Sequence, residues 1–196
     1  MSSRPPTRLP TQPPEDAVAA RRSPEAPAPG EELQSHYRFC FGCGVDHETG
    51  LHLRVYAAEG VSIRAEFTVS EHHQGAPGLA HGGLLAAAFD ESLGALNWLL
   101  RHPAVTGRLE TDFRRPVPVG STLFIAAEVV GVAGRKVYTR AVGRLDAEDG
   151  PVAVTAAALF VQVPLQHFVA HGRADDVARA RADAEQGRTR SFEVNP

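Results

Sequence analysis

The sequence predicts an α+β domain in which a curved antiparallel β-sheet wraps around one long central helix. Three observations predict this fold class. First, two segments alternate apolar and polar residues. Second, a long apolar stretch comes next and carries no charge before Asp90. Third, four further strand-like segments come after this stretch. The links between the later segments are short and rich in glycine, proline and aspartate, which is typical of antiparallel neighbours.

The two segments before the helix are residues 50–56 and 61–69, which alternate with the period of a half-buried strand. The helix is predicted to begin at His81-Gly82-Gly83 and to end before His102-Pro103, because proline removes a backbone donor and restricts the residue before it. The four later strands are predicted at residues 109–114, 122–132, 136–145 and 152–163.

Three regions are predicted along the chain. They are a disordered proline-rich tail at residues 1–34, the compact domain at residues 35–168, and a peripheral helix or tail rich in alanine and arginine at residues 169–196. Eight of the 15 prolines precede Gly30, so the first region buries too little apolar surface to offset the entropy of ordering it. A short helix at residues 15–22 is the alternative for part of this tail, and a helix is predicted at residues 174–186.

Composition excludes several classes of protein. The chain has 196 residues, 43% of them hydrophobic, with a formal net charge of -3 and a sequence pI near 6.3, whereas a general nucleic-acid-binding protein is normally basic. No run approaches the roughly 20 apolar residues of a membrane span, and the first residues lack the apolar core of a secretory signal. We therefore expect a cytoplasmic protein that binds neither nucleic acid nor a membrane.

Asp90 and Glu91 interrupt the apolar helix and are the first candidates for a functional site. Burying a carboxylate is costly and raises its pKa unless it is paired, so such residues usually have a function, and a buried ion pair is the alternative for Asp90. Glu91 is turned about 100° from Asp90. We therefore expect Asp90 to face a substrate and Glu91 to support the structure or a subunit interface.

The start of the same helix is the second candidate. Free N–H groups at Gly82 and Gly83 bind anions and carbonyl oxygens readily, although close packing of the helix is an alternative reason for glycine there. Gly83 and Asp90 are seven residues apart, about 700° of rotation and roughly 10 Å along an ideal helix axis. Because this is too far for both groups to touch one reacting carbon, the spacing favours a site shared between two chains across a two-fold axis.

Three motifs together carry a resemblance to a known family. They are Cys40-Phe-Gly-Cys-Gly44 with Gly50-Leu51, the block Gln74-Gly-Ala-Pro-Gly-Leu-Ala-His-Gly-Gly83 with Asp90-Glu91, and Phe113-Arg-Arg-Pro-Val-Pro-Val-Gly120. His-Gly-Gly alone is a weak signal, but an acid nine positions after the histidine makes it more specific. Over about residues 37–168 the chain resembles the hotdog-fold, PaaI-type acyl-CoA thioesterases. The resemblance implies a hotdog fold and a homodimer or homotetramer.

The resemblance also implies a reaction. Relatives of this type are hydrolases that cleave thioesters of coenzyme A, or of an acyl carrier protein, to a free acid and a thiol. It implies that Asp90 acts as general base or nucleophile and that the Gly82 N–H polarises the thioester carbonyl. Two other functions stay open, a non-catalytic acyl-CoA-binding protein and a hotdog hydratase or dehydratase, although the local motif usual in those enzymes is not found here.

Three further residues receive roles from the resemblance. His81 orients either the turn or the thioester end of the substrate, with a purely structural histidine as the alternative. Thr106 falls where relatives carry a serine or threonine that positions the attacking water, and the alternative is an ordinary residue at the start of a strand. Gly75 stands where some relatives have an asparagine that contacts the carbonyl, and Gln74 is the candidate to replace that contact.

The remaining candidates contact the substrate. Gly83 and Glu91 are candidates on the helix, and four basic residues are candidates for the phosphates of coenzyme A, with ordinary solvated charges as the alternative: Arg114, Arg115, Arg135 and Lys136. We expect no metal and no cofactor other than the coenzyme A of the substrate. We also expect active sites shared between subunits.

Cys40 and Cys43 are the only two cysteines in the chain. With His47 and His52 they give four candidate zinc ligands. However, His52 lies in an alternating segment, and the spacing matches no zinc finger. We interpret the Cys-x-x-Cys segment as a tight packed turn, with a zinc site and a redox dithiol as the alternatives.

Overall fold

The computed structural model describes residues 10–194 and residue 196, and its main element is one large antiparallel sheet. The strands are β1 Glu32–Leu33, β2 Arg54–Ala57, β3 Ser62–Thr68, β4 Gln74–Ala76, β5 Leu79–Ala80, β6 Ala104–Phe113, β7 Thr122–Ala133, β8 Lys136–Leu145 and β9 Val152–Gln162. Seven of them form the sheet, in the order β1-β2-β3-β7-β8-β9-β6, and β4 pairs separately with β5. The helices are α1 Gly82–Leu100, α2 Gln166–His171 and α3 Ala174–Glu185.

The long helix α1 packs against the large sheet, which confirms the predicted α+β class. It contacts six strands of that sheet, from β2 and β3 at one side to β6 at the other. Phe89, Leu93 and Leu96 are fully buried and recur at three- and four-residue spacing, so one face of the helix enters the core. The helix ends where it was predicted to end, at Leu100, and Arg101 follows in a left-handed conformation with φ of 58°.

The three long strands β7, β8 and β9 confirm the prediction to within one residue at each end. The strand predicted at residues 109–114 begins earlier, at Ala104, because β6 pairs with β9 from Ala104 opposite Gln162 to Phe113 opposite Val154. The strand predicted at residues 50–56 begins later, at Arg54. Leu51 and Leu53 are buried as the alternation indicates, but His52 has a φ of 49° and holds this stretch outside the ladder.

Residues 10–30, the N-terminal strap, lie against the domain instead of adopting the disorder expected for residues 1–34. The Thr11 hydroxyl donates to the Glu110 carboxylate on β6. Val18 exchanges two backbone hydrogen bonds of 2.9 Å with Val132, and no helix forms at residues 15–22. Backbone hydrogen bonds to the sheet thus order a segment that has little apolar surface. Residues 1–9 lie outside the described residues.

The C-terminal segment contains the predicted helix, since α3 spans Ala174–Glu185, and half of its residues are exposed. The chain then returns to the domain, where Arg190 and Phe192 are buried and the Arg190 N–H donates to the Ser35 carbonyl at 3.0 Å. Within the described residues, no helix combines the length and the apolar character needed to cross a membrane.

Candidate active site

The structure brings Asp90 and Thr106 together, although they lie on different elements. Thr106 stands near the start of β6, and its Oγ1 donates to Asp90 Oδ1 at 2.8 Å. Burial raises the pKa of the Asp90 carboxyl, and the hydrogen bond from Thr106 opposes this rise. Thr106 therefore holds one oxygen of the half-buried Asp90 carboxyl group, and the second oxygen, Oδ2, is available for proton transfer.

The start of α1 is capped by His81. The His81 Nδ1 accepts a hydrogen bond from the Gly83 N–H at 3.0 Å, and the His81 carbonyl accepts from Leu84 and Leu85. This geometry agrees with the prediction that His81 orients the turn. The Gly83 amide is thus engaged, whereas the Gly82 N–H is the first amide of the helix, at a position where N–H groups lack partners within the helix.

Gln74 and Gly75 lie directly before this helix start. The Gln74 side-chain oxygen accepts from the Gly78 N–H at 2.7 Å, so it closes the β4–β5 turn. A Cβ added at Gly75 would lie 2.8 Å from the His81 Cα. An asparagine, the residue of some relatives, does not fit at this position without displacing His81.

Asp90 and Gly82 lie on one uninterrupted helix, eight residues apart, which corresponds to about 12 Å along its axis. The predicted separation of the two halves of the site within one chain is thus present in the structure. Thr106 lies beside Asp90, at one end of this separation. At the other end Gly82 faces the ring of Phe113, and a Cβ added at Gly82 would lie 3.6 Å from the Phe113 Cζ.

The four basic candidates do not form one phosphate site within the chain. Arg114 and Arg115 both donate their backbone N–H to the Ala153 carbonyl at the start of β9. Arg135 instead donates from Nη1 to the Gln162 carbonyl at the end of the same strand, and Lys136 follows it. Nine residue steps of strand, from Ala153 to Gln162, separate the two pairs by roughly 30 Å. The two pairs therefore lie at opposite ends of β9, and their contact with the phosphates of coenzyme A stays a prediction.

Glu91 points away from Asp90 into a different environment. Its Oε2 lies 3.5 Å from the Cys40 Sγ and its Oε1 lies 3.9 Å from the His36 Nε2. Burial is the main reason why the pKa of the Glu91 carboxyl is raised to about 7. The supporting role predicted for Glu91 matches these contacts better than its role as a substrate-binding residue.

His47 and His52, considered above as zinc ligands and set aside, do not belong to the group of side chains around Cys40 and Cys43. His47 packs edge-to-face against Phe41 with ring centroids 5.3 Å apart, and His52 is exposed. His36 is the histidine that meets the thiols, together with Glu91. Spacing does not single it out, since His36 precedes Cys40 by four residues and His47 follows Cys43 by four.

Known proteins similar to this chain are thioesterases. Residues 77–152 match the model of the thioesterase superfamily. The acyl-coenzyme A thioesterase THEM4 of Xenopus laevis is 32% identical over 97 residues, which cover 50% of this chain and 43% of that relative. The chain thus spans less than half the length of this relative.

Two solved structures are similar as well. The thioesterase superfamily protein RHA08564 is 29% identical and matches with a TM-score of 0.59 over 70% of each chain. The PaaI protein of E. coli is 16% identical and matches with a TM-score of 0.51 over 58% of this chain and 80% of that chain, which supports the fold alone. Fold, motifs and relatives agree: the chain has a hotdog fold, residues 77–152 are similar to the thioesterase superfamily, and the chain resembles the PaaI type.

Proposed function

We propose that this protein hydrolyses thioesters of coenzyme A, or of an acyl carrier protein, to a free acid and a thiol. The observation that carries the proposal is the hydrogen-bonded pair of Asp90 and Thr106 on the same helix that presents the Gly82 amide at its start. The similarity to a relative named as an acyl-coenzyme A thioesterase supports the same reaction. The cytoplasmic location stays a prediction from the sequence.

Thioester hydrolysis needs an activated water and a stabilised oxyanion. In the general-base route, Asp90 accepts a proton from a water molecule whose oxygen attacks the carbonyl carbon. The Gly82 N–H donates to the carbonyl oxygen as negative charge develops there. The carbon–sulfur bond then breaks, and the leaving thiolate takes up the proton.

A nucleophilic route uses the same residues. The free Asp90 oxygen attacks the carbonyl carbon, the thiolate leaves, and water hydrolyses the resulting mixed anhydride. In either route Thr106 holds Oδ1 and thereby directs Oδ2 at the substrate or the water. The proposal includes both routes because they require the same arrangement of side chains.

The proposal includes a homo-oligomer, either a dimer or a tetramer, in which the helix start of one subunit meets the acid of the other. The separation of about 12 Å between Gly82 and Asp90 supports this, since a reacting carbon must lie within about 3–3.5 Å of its nucleophile. Two such sites related by a two-fold axis then complete each other.

Asp90→Asn tests the assignment of the acid. The amide cannot accept the proton, so we expect turnover of the best acyl-CoA substrate to fall on the order of 10²-fold or more. The matched control is Asp149→Asn in the exposed turn between β8 and β9, which should behave like the unmodified protein. Near-normal turnover by Asp90→Asn would overturn the assignment. Tight acyl-CoA binding without thiol release by the unmodified protein would instead support a binding protein.

Mixing of subunits tests the shared site. Gly82→Pro removes the proposed amide donor at a position where proline suits the first turn of a helix. When inactive Asp90→Asn and Gly82→Pro subunits are refolded together, half of the dimers are mixed and each mixed dimer has one intact site. Activity should recover to roughly a quarter of the normal value. A mixture no more active than its parents would show that each chain carries a whole site.

A further inference from the structure

Four side chains with metal-binding atoms meet on the face of α1 that the proposed reaction does not use. They are His36, Cys40, Cys43 and Glu91, called here the thiol cluster. One nitrogen, two sulfur atoms and one carboxylate oxygen lie within 4.8 Å of one another. Three members come from the segment before β2, and the fourth comes from the helix.

The spacing of these atoms is close to that of a tetrahedral zinc site. Zinc bonds of about 2.0–2.3 Å to nitrogen, oxygen and sulfur place the ligand atoms about 3.3–3.8 Å apart. The thiol cluster has its Cys40 Sγ 3.5 Å from the Glu91 Oε2 and its His36 Nε2 3.9 Å from the Glu91 Oε1. Small side-chain movements are therefore enough to give all four ligands bonding distance to one ion.

The backbone of the turn that carries Cys40 and Cys43 suits metal binding. The Gly44 N–H donates to the Cys40 carbonyl at 2.9 Å, and the Gly42 N–H donates to the Cys40 Sγ at 3.3 Å. Backbone N–H groups directed at sulfur favour the thiolate that binds metal. A Cβ at Gly42 would lie 2.5 Å from the Glu91 Oε2, so only glycine lets the carboxylate rest on this turn.

The contacts within the cluster are long. The Cys43 Sγ lies 3.5 Å from the Ser35 Oγ, and the Cys40 Sγ lies 3.5 Å from the Glu91 Oε2. Cys43 is buried, Cys40 is half-buried, and both are free thiols. An ion is one partner that suits imidazole, thiol and carboxylate together.

We propose that the thiol cluster binds one Zn²⁺ ion. Two thiolates with an imidazole select zinc over magnesium or calcium, which prefer oxygen ligands, while iron–sulfur clusters usually use four cysteines. Four protein ligands leave no open position for water, so the ion is structural. It fastens the segment around residues 36–43 to the helix that carries Asp90. This replaces the expectation of a chain without metal.

Elemental analysis of the full chain, purified without a polyhistidine tag, tests the proposal directly. We expect about one zinc per chain, and less than a tenth of that in the double variant Cys40→Ser/Cys43→Ser. The matched control is His47→Gln, which changes a histidine of the same segment outside the cluster and should keep its zinc. Equal zinc loss in the control, or a zinc-free protein that takes up none after reduction, overturns the proposal.

Cobalt substitution covers the case in which the double variant fails to fold. The unmodified protein loaded with Co²⁺ should show the visible bands of a tetrahedral ion together with thiolate-to-cobalt charge transfer. Glu91→Gln should alter the visible bands and keep the charge transfer, because both thiolates remain. Cobalt bound without charge transfer, or a Cys40–Cys43 disulfide that zinc does not prevent, overturns the proposal.

Discussion

Replacing Thr106 by valine tests how the carboxylate of the proposed site is held. The two side chains have similar shapes, so the change removes the hydroxyl that donates to Asp90 Oδ1 at 2.8 Å and little else. A hydrogen bond to a charged group contributes about 1.5–3 kcal/mol. Because Thr106 is exposed in the single chain and water competes there, we expect the lower value, which corresponds to roughly a tenfold fall in kcat.

The assay is the initial rate of loss of thioester absorbance with a panel of acyl-CoA substrates. This readout avoids thiol reagents, which would also react with the two free cysteines of the chain. Thr106→Ser keeps the hydroxyl and should retain most of the activity. Thr68→Val is the matched control, since it removes a strand hydroxyl that lies 2.9 Å from the Thr122 hydroxyl and far from Asp90.

Two results would refute this reasoning. If Thr106→Val kept kcat within a factor of about two while Asp90→Asn was inactive, the hydrogen bond would have no part in catalysis. If Thr106→Ser lost as much activity as the valine variant, the methyl group and its packing would matter and the hydroxyl would not.

Two further predictions concern the structure that supports the site. Gly75→Asn should reduce turnover and destabilise the fold by about 1–3 kcal/mol, because the new asparagine side chain meets His81 at the helix start. The control, for both thermal unfolding and activity, is Gly78→Asn, at an open position with positive φ. Arg22→Ala should lower the unfolding free energy by about 1–2 kcal/mol in denaturant titration, because the guanidinium donates to two carbonyls of the β2–β3 turn. The exposed Arg21→Ala is its control, and equal effects in the two arginine variants would contradict this assignment.

The sequence was informative where a local pattern determines the structure. The apolar spacing that buries Phe89, Leu93 and Leu96 is visible within the helix itself, and the cost of burying a carboxylate pointed to Asp90. The alternation around Leu51 was also correct about burial. The alternation did not indicate which residues pair in the β-sheet, because it reports only which side chains face the core. The backbone joins the sheet only after His52, whose φ is 49°.

Other features depend on how distant segments meet. Thr106 lies 16 residues from Asp90, and only the family resemblance drew attention to it. No local pattern distinguishes His36 from His47 or His52 as the neighbour of the thiols, since the path of the turn decides it. The basic candidates looked alike in sequence, but their positions at opposite ends of β9 follow from strand pairing.

The N-terminal strap has a consequence for how the protein folds during synthesis. Thr11 bonds with Glu110, 99 residues further along the chain. At 5–20 residues per second, its partner is synthesised about 5–20 s later. Thr11 therefore waits without this contact until β6 is made, and Val18 waits longer still for Val132 on β7. The first described residues to leave the ribosome are thus among the last to reach their native positions.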